Sequence, residues 1–120
     1  MVVDDEETVR DLAARVLRQQ GYTVLEAGNG DEALRVAEDF AERDIGLDLL
    51  VTDIVMPIMG GRELAYRLRA RQSGAKVLYT SGYTDDIMIR QGQLQPWVEF
   101  IAKPFTPDSL ALRVRETLDS

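Results

Sequence analysis

The sequence predicts an α/β domain in which a doubly wound, five-stranded parallel sheet is covered on both faces by five helices. Apolar segments of strand length alternate with segments of helical periodicity along all 120 residues. The connections between these segments are short, and no internal linker separates them. Residues 47–52 form an apolar run, as is typical of a strand buried on both faces of a sheet.

The predicted strands are apolar runs bounded by turn residues. The first is the stub Met1–Val3, which is short for a strand, so we expect the sequence to be an excerpt of a longer chain. The other four predicted strands cover residues 22–25, 47–52, 75–80 and 98–102.

The predicted helices are segments whose apolar residues recur at helical spacing. Thr106, Pro107 and Asp108 begin the last of them with an N-cap, a proline in the first turn and an acid near the positive helix end. The helix over 85–93 has the weakest pattern, because Gly92 interrupts it and Pro96 follows it. The five predicted helices cover residues 6–20, 29–41, 62–71, 85–93 and 106–118.

The composition excludes several kinds of chemistry, because these 120 residues contain neither cysteine nor histidine. Without cysteine the chain has no disulfide, thiolate metal site or thiol nucleophile. Without histidine it lacks the commonest general base and the commonest zinc ligand. Any reaction must therefore use carboxylates, hydroxyls, amines and backbone groups.

The charge argues against nucleic acid as a partner, since a net charge of -7 would be repelled by phosphates. The acids are concentrated in residues 1–60, which carry 14 acidic and 5 basic side chains, whereas residues 61–120 carry 7 and 9. This imbalance has two interpretations, a solvated acidic surface or acids that converge on a cation. Because no apolar run is long enough for a signal peptide or a membrane span, we expect a cytoplasmic location and no direct membrane contact.

The residues that follow the predicted strands are the candidate site, because doubly wound sheets bind ligands beyond the carboxyl ends of their strands. Each has an ordinary alternative interpretation, such as acids at a helix N-terminus or a solvated loop lysine, but their joint placement favours a site. Carboxylates about 4 Å apart repel by roughly 4 kcal/mol at an effective dielectric of 20. A hard cation would relieve this repulsion, and oxygen ligands completed by water suit Mg²⁺. The candidates, in chain order, are Asp4, Asp5, Asp53, Thr80, Ser81 and Lys103.

The chain resembles the receiver domain of two-component response regulators, from Val2 to about Leu118. The residues 79–83, with Gln91-Gly92 and Pro96, are most similar to receivers of hybrid sensor histidine kinases. The resemblance implies a flavodoxin-like fold with strand order 2-1-3-4-5 and one receiver domain over residues 1–120. The matching segments are VVDDE (2–6), DIVMPIMGG (53–61), TSG (80–82) and KPF (103–105).

The resemblance also implies a role for each candidate residue. Asp53 is the phosphoacceptor, whose carboxylate attacks a phosphoryl group to form an aspartyl phosphate. Asp5 and Asp53 bind Mg²⁺ directly, Asp4 acts through water, and the backbone carbonyl of Val55 is the remaining protein ligand. Lys103 pairs with the phosphoryl oxygens.

The resemblance further implies a conformational switch. Ser81, rather than Thr80, is the expected switching hydroxyl, because the family pattern places this hydroxyl before a small residue and Gly82 follows Ser81. Phe100 stands where the family has an aromatic residue that moves with the hydroxyl, often a tyrosine. We expect phosphorylation to shift segment 82–97 and thereby change a partner-binding face.

The expected function is that of a phosphoacceptor in a two-component phosphorelay, with a histidine kinase or a histidine phosphotransfer protein as phosphoryl donor. Such a domain catalyses its own phosphorylation and dephosphorylation, and any kinase activity would lie in another domain, with the chain acting alone or as the cytoplasmic part of a larger kinase. The alternative is a receiver-like interaction module that acts without phosphorylation. A haloacid-dehalogenase-type phosphatase is disfavoured because Val55 stands where that family needs a second aspartate, and the Gly-x-x-x-x-Gly-Lys sequence of a P-loop enzyme is absent.

Overall fold

A computed structural model describes residues 1–82 and 99–120 as strands and helices in alternation. The predicted helix over residues 85–93 lies outside the described residues, within which there are four helices and five strands. In chain order the elements are β1 (Val2–Val3), α1 (Glu7–Gln19), β2 (Glu26–Ala27), α2 (Gly30–Glu42), β3 (Leu49–Asp53), α3 (Gly61–Arg71), β4 (Lys76–Ser81), β5 (Phe100–Ala102) and α4 (Pro107–Asp119).

The five strands form one parallel sheet in the order β2-β1-β3-β4-β5. This confirms the predicted fold class and strand order. In the register of the sheet, Asp53 at the end of β3 lies opposite Thr80, and Ser81 at the end of β4 lies opposite Ala102. The strand ends that carry the candidate residues therefore meet at one edge of the sheet.

The sheet is buried on both faces. Successive residues of a strand point to opposite faces, and neighbouring residues of β3 belong to two different core clusters. Leu50 belongs to a core cluster with Leu64 and Leu68 of α3, whereas its neighbour Val51 belongs to a second cluster with Leu110 and other residues. The first cluster also includes Ala33 and Ala37 of α2, and the second includes Ala14 and Leu17 of α1 and Val114 of α4. Helices thus cover both faces, as the apolar character of β3 predicts.

Polar side chains cap the first turns of α2 and α4. Asn29 accepts a hydrogen bond from the amide of Glu32 at the start of α2, with an N···O distance of 2.8 Å. Thr106 and Ser109 form a reciprocal capping box at the start of α4, each amide donating to the other residue's hydroxyl at 3.0 Å. These bonds satisfy amides that the first turn of a helix otherwise leaves unpaired.

The second strand was predicted wrongly. The prediction placed it at residues 22–25, but the residues that pair with β1 are Glu26 and Ala27. The carbonyl of Leu25 accepts a hydrogen bond from the amide of Val2 at 2.8 Å, and the next two residues, Glu26 and Ala27, lie opposite Val2 and Val3. Tyr22 and Val24 are apolar because they pack against the second core cluster, so their hydrophobicity reflects burial and not strand pairing.

No helix in the described parts of the chain, 1–82 and 99–120, has the length and apolar character needed to cross a membrane.

Candidate functional site

Three aspartates meet at the carboxyl edge of the sheet. Asp4 follows β1, Asp5 precedes α1, and Asp53 is the last residue of β3. A carboxylate oxygen from each lies within 4.8 Å of those of the other two. Asp4 and Asp53 are buried, with exposed fractions of 2% and 7%, whereas Asp5 is exposed. The cluster therefore has a buried floor and one carboxylate open to solvent.

Lys103 lies between the two buried aspartates. Its Nζ is 2.8 Å from Asp4 Oδ2 and 3.1 Å from Asp53 Oδ2, so one ammonium bridges two carboxylates. Burial alone would lower the pKa of Lys103, but the hydrogen bond and charge of Asp4, followed by those of Asp53, raise it above its ordinary value. The amine is thus held as a cation at the acidic cluster.

Both carboxylate oxygens of Asp4 accept hydrogen bonds from the protein. The amide of Glu6 donates to Oδ1 at 2.9 Å, and Lys103 donates to Oδ2. The backbone carbonyl of Asp4 accepts a further bond from Arg10 Nη1, also at 2.9 Å. Asp4 is therefore held through its side chain and its backbone at once.

Two buried hydroxyls stand at the end of β4. Thr80 is 4% exposed and Ser81 is fully buried, and within the described residues neither hydroxyl oxygen has a hydrogen-bond partner. A backbone hydrogen bond joins this strand end to Lys103, whose amide donates to the carbonyl of Ser81 at 2.7 Å. An unpaired buried hydroxyl costs about 1–3 kcal/mol, so each of the two is a candidate to hydrogen-bond a ligand at this strand end.

The loop from β3 to α3 is held closely against Asp53. The amide of Gly61 donates to the carbonyl of Ile54 at 2.7 Å, and a Cβ at Gly61 would lie 2.2 Å from the carbonyl oxygen of Asp53. Only glycine fits there. In the same loop the side chain of Val55 is half-exposed.

Phe100 begins β5 and lies opposite Tyr79 in the sheet. Its side chain is partly buried and packs against the first core cluster. Most of the segment that we expect to shift on phosphorylation, residues 83–97, lies outside the described residues.

Arg10 has no motif that would identify it in the sequence, since it is one arginine among 12 and lies on a helix with other charged residues. Its bond to the Asp4 carbonyl nevertheless places it beside the acids. The available signal was its position in the first turn of the helix that follows the acidic pair, and such a signal is weak without the fold.

Comparison with known protein families identifies the family to which the chain belongs. Residues 1–115 match the family described as the response regulator receiver domain. The chain belongs to this family. The match confirms the resemblance and identifies the domain as a receiver domain of two-component signalling.

Two relatives illustrate the similarity of this receiver domain to known proteins. It is 37% identical over 119 residues to the sensor kinase CckA of Brucella abortus, covering 99% of the chain and 12% of the kinase. It is 32% identical over 118 residues to the DNA-binding response regulator MtrA of Mycobacterium tuberculosis, covering 98% of the chain and 49% of that regulator. The chain thus spans half or less of the length of these relatives.

Solved structures show the same fold. The receiver domain of the hybrid histidine kinase CckA superposes with a TM-score of 0.78 at 37% identity, covering 98% of this chain and 95% of that one. The receiver domain of NtrX from Brucella abortus gives a TM-score of 0.82 at 28% identity, covering 99% and 97% of the two chains. Receiver domains in general bind Mg²⁺ at an acidic pocket and interact with histidine kinases or phosphotransfer proteins.

Proposed function

We propose that this receiver domain accepts a phosphoryl group on Asp53 from a phosphohistidine, in a reaction that requires Mg²⁺. The observation that carries the proposal is the position of Asp53 at the end of β3, in contact with Lys103 and within 4.8 Å of two further carboxylates. A buried carboxylate in that setting has both a cation to neutralise charge and acids to hold a metal ion.

The donor set fits Mg²⁺, because it consists of carboxylate oxygens with solvent access through the exposed Asp5. Asp5 and Asp53 would bind the ion directly, together with the backbone carbonyl of Val55. Asp4 would act through water, since both of its oxygens already accept protein hydrogen bonds. Bound there, the ion would neutralise charge on the phosphoryl oxygens.

Asp53 is the nucleophile of the proposed transfer. One of its carboxylate oxygens forms a bond to phosphorus while the bond between phosphorus and the donor's imidazole nitrogen breaks, and the electron pair leaves with that nitrogen. Lys103 lies 3.1 Å from Asp53, so its ammonium is placed to pair with an oxygen of the incoming phosphoryl group.

Ser81 and Phe100 are the proposed switch residues. The Ser81 hydroxyl is buried and lacks a partner within the described residues, so a phosphoryl oxygen on Asp53 would give it one. Phe100 lies in β5 next to β4, the strand that ends in Ser81, so its ring would change position when Ser81 moves.

The phosphoryl donor must be a partner or another domain, because these 120 residues contain no histidine. We infer that the donor is a histidine kinase or a histidine phosphotransfer protein. The similarity to a hybrid kinase receiver supports a cytoplasmic domain of such a kinase as one setting. The net charge of -7 supports a partner other than nucleic acid.

The test is incubation of the domain with Mg²⁺ and acetyl phosphate, followed by intact mass spectrometry. We expect a gain of about 80 Da, the mass of one phosphoryl group, in the wild type. The gain should be absent from Asp53→Asn and retained in Asp48→Asn, which removes an exposed acid just before β3. A wild type that gains no mass would favour the interaction module, and an Asp53→Asn variant that gains as much mass as the wild type would refute Asp53 as the phosphoacceptor.

A further inference from the structure

We propose that Arg10 is a positioning residue for the cation site, acting through the backbone between Asp4 and Asp5. The inference rests on the proposed function, because it concerns the same site. Arg10 lies on α1, where its Nη1 donates to the carbonyl of Asp4 at 2.9 Å and its Nε lies 3.8 Å from Glu26 Oε1 on β2. The side chain is 20% exposed, so both contacts are partly shielded from solvent.

The bond controls the peptide that links the two acids. The carbonyl of Asp4 and the amide of Asp5 belong to one planar unit, so holding the carbonyl also holds the backbone from which the Asp5 side chain departs. Asp5 is the exposed member of the cluster, and burial therefore does little to orient it. The direction of the Asp5 carboxylate therefore depends on the peptide between Asp4 and Asp5.

The turn that carries these acids has few other restraints. Glu6, at the N-cap of α1, makes no side-chain capping bond. The amide of Asp4 donates to Ala27 at 3.3 Å, and the amide of Glu6 donates to the Asp4 carboxylate. Among residues 1–82 and 99–120, the bond from Arg10 is the one that restrains the carbonyl of Asp4 directly.

The guanidinium is itself held in place. Glu26 forms an ion pair with one side of it at 3.8 Å, and a Cβ at Gly28 would lie 3.2 Å from Arg10 Nη1, so the chain after β2 passes directly against it. A rigid planar fork that joins a carbonyl to a carboxylate is a geometry that arginine provides and lysine does not.

Charge and geometry predict opposite results when Arg10 is removed. A positive charge beside the acids opposes a second cation, so loss of that charge alone would strengthen Mg²⁺ binding. Loss of the backbone restraint would weaken it, because Asp5 would have to be ordered on binding. The sign of the change therefore separates positioning from simple electrostatics.

Arg18 provides a matched control on the same helix. Its Nη1 lies 3.1 Å from Glu26 Oε2, and its Nη2 donates to the carbonyl of Val24 at 2.9 Å. Arg18→Gln thus removes one positive charge, one contact with Glu26 and one bond to a backbone carbonyl. None of these contacts involves the acidic cluster.

The experiment is calorimetric titration of Mg²⁺ into the wild type, Arg10→Gln, Arg10→Lys and Arg18→Gln, with urea unfolding of each protein. We expect Arg10→Gln to weaken Mg²⁺ binding about 3- to 10-fold, the effect of one lost hydrogen bond. Arg10→Lys keeps the opposing charge and loses the planar fork, so it should bind Mg²⁺ at least as weakly as Arg10→Gln. Arg18→Gln should bind Mg²⁺ within about 2-fold of the wild type.

Binding by Arg10→Gln that is as tight as, or tighter than, that of the wild type overturns the positioning role. If that variant does not fold, Arg10→Lys decides, and unchanged binding by it then overturns the role. A wild type that binds Mg²⁺ but gains no mass from acetyl phosphate overturns the proposed function instead, and the affinity ratio still decides the role of Arg10.

Discussion

At the scale of single residues, the site is organised by charge neutralisation in a buried place. Asp4 and Asp53 would repel each other strongly without a counter-ion, and the ammonium of Lys103 contacts both. Its side chain is only 16% exposed, so solvent screens these contacts weakly. Lys103 therefore stabilises the metal-free fold and is also placed to meet a phosphoryl group.

Replacing Lys103 with methionine should separate these two roles. We expect the metal-free protein to lose about 1–3 kcal/mol of unfolding free energy, because two buried carboxylates lose their cation. Mg²⁺ should bind more tightly than to the wild type, because a competing cation is gone, whereas phosphoryl uptake from acetyl phosphate should slow at least about 10-fold. Urea unfolding, calorimetric titration and mass spectrometry measure the three effects.

Lys76 is the matched control, since it is the other lysine of the chain and its Nζ contacts the carbonyl of Leu118, away from the acids. Lys76→Met should leave Mg²⁺ affinity and phosphoryl uptake unchanged. Phosphoryl uptake by Lys103→Met at the wild-type rate would contradict the role of Lys103 in transfer.

The two buried hydroxyls allow a comparison between neighbours. Ser81→Ala and Thr80→Val each remove a hydroxyl that lacks a partner within the described residues, so neither should lower the stability of the unphosphorylated protein. Only Ser81→Ala should abolish the backbone chemical-shift changes that the phosphoryl mimic beryllofluoride causes beyond the site. Loss of those changes in Thr80→Val alone would assign the switch to Thr80.

At the scale of elements, the position of Asp53 depends on how α3 starts. The first residue of α3, Gly61, hydrogen-bonds the carbonyl of Ile54 and leaves no space for a side chain beside the backbone of Asp53. Met59 is buried in the same loop and packs near Gly30 at the start of α2. The start of α3 and the end of β3 thus meet beside the proposed nucleophile, and Met59 connects their loop to the start of α2.

Gly61→Ala should destabilise the domain by about 3 kcal/mol, because its Cβ meets backbone that cannot move aside like a flexible side chain. It should also slow phosphorylation, since relief of the clash displaces Asp53. Gly74→Ala is the control, because nothing lies within 4 Å of a Cβ there, and it should change stability by less than about 1 kcal/mol. Equal urea midpoints for the two variants would refute this account.

At the scale of the whole molecule, part of the acidic excess of residues 1–60 lies at one place in the fold. The first 60 residues carry most of the acids, and three of them form the cluster at the carboxyl edge of the sheet. Of the two interpretations of that imbalance, convergence on a cation accounts for these three acids, and a solvated surface accounts for exposed acids elsewhere. A divalent cation should therefore act on the stability of the entire domain.

Saturating Mg²⁺ should raise the melting temperature by roughly 10 °C at 100 times the dissociation constant, which corresponds to about 2.7 kcal/mol. Asp53→Asn should melt higher than the wild type without metal, because one repelling carboxylate is gone, and should gain less from Mg²⁺. Calorimetry with EDTA and with NaCl at equal ionic strength provides the controls. An equal gain from NaCl would show that screening, and not a site, is responsible.

Much of the fold was predictable because buried residues recur in the sequence with the period of the helix or strand to which they belong. The alternation of apolar strands and amphipathic helices predicts a parallel sheet, and the carboxyl ends of parallel strands necessarily share an edge. The fold class predicted on that basis was confirmed, as were the strand order and the family that the resemblance implies, whereas the roles of the site residues stay predictions. The position of β2 was not predictable, because Val24 has the same apolar character whether it pairs with a strand or only packs.

Local periodicity was thus sufficient for the architecture and for the edge at which chemistry is expected. It could not show that Lys103 bridges Asp4 and Asp53, that Asp5 is the exposed acid, or that Arg10 restrains the Asp4 carbonyl. Periodicity reports the burial of residues one at a time, whereas a hydrogen bond between Lys103 and Asp4 spans 99 positions of sequence and depends on how helices and strands pack together. Those contacts exist only in the folded chain.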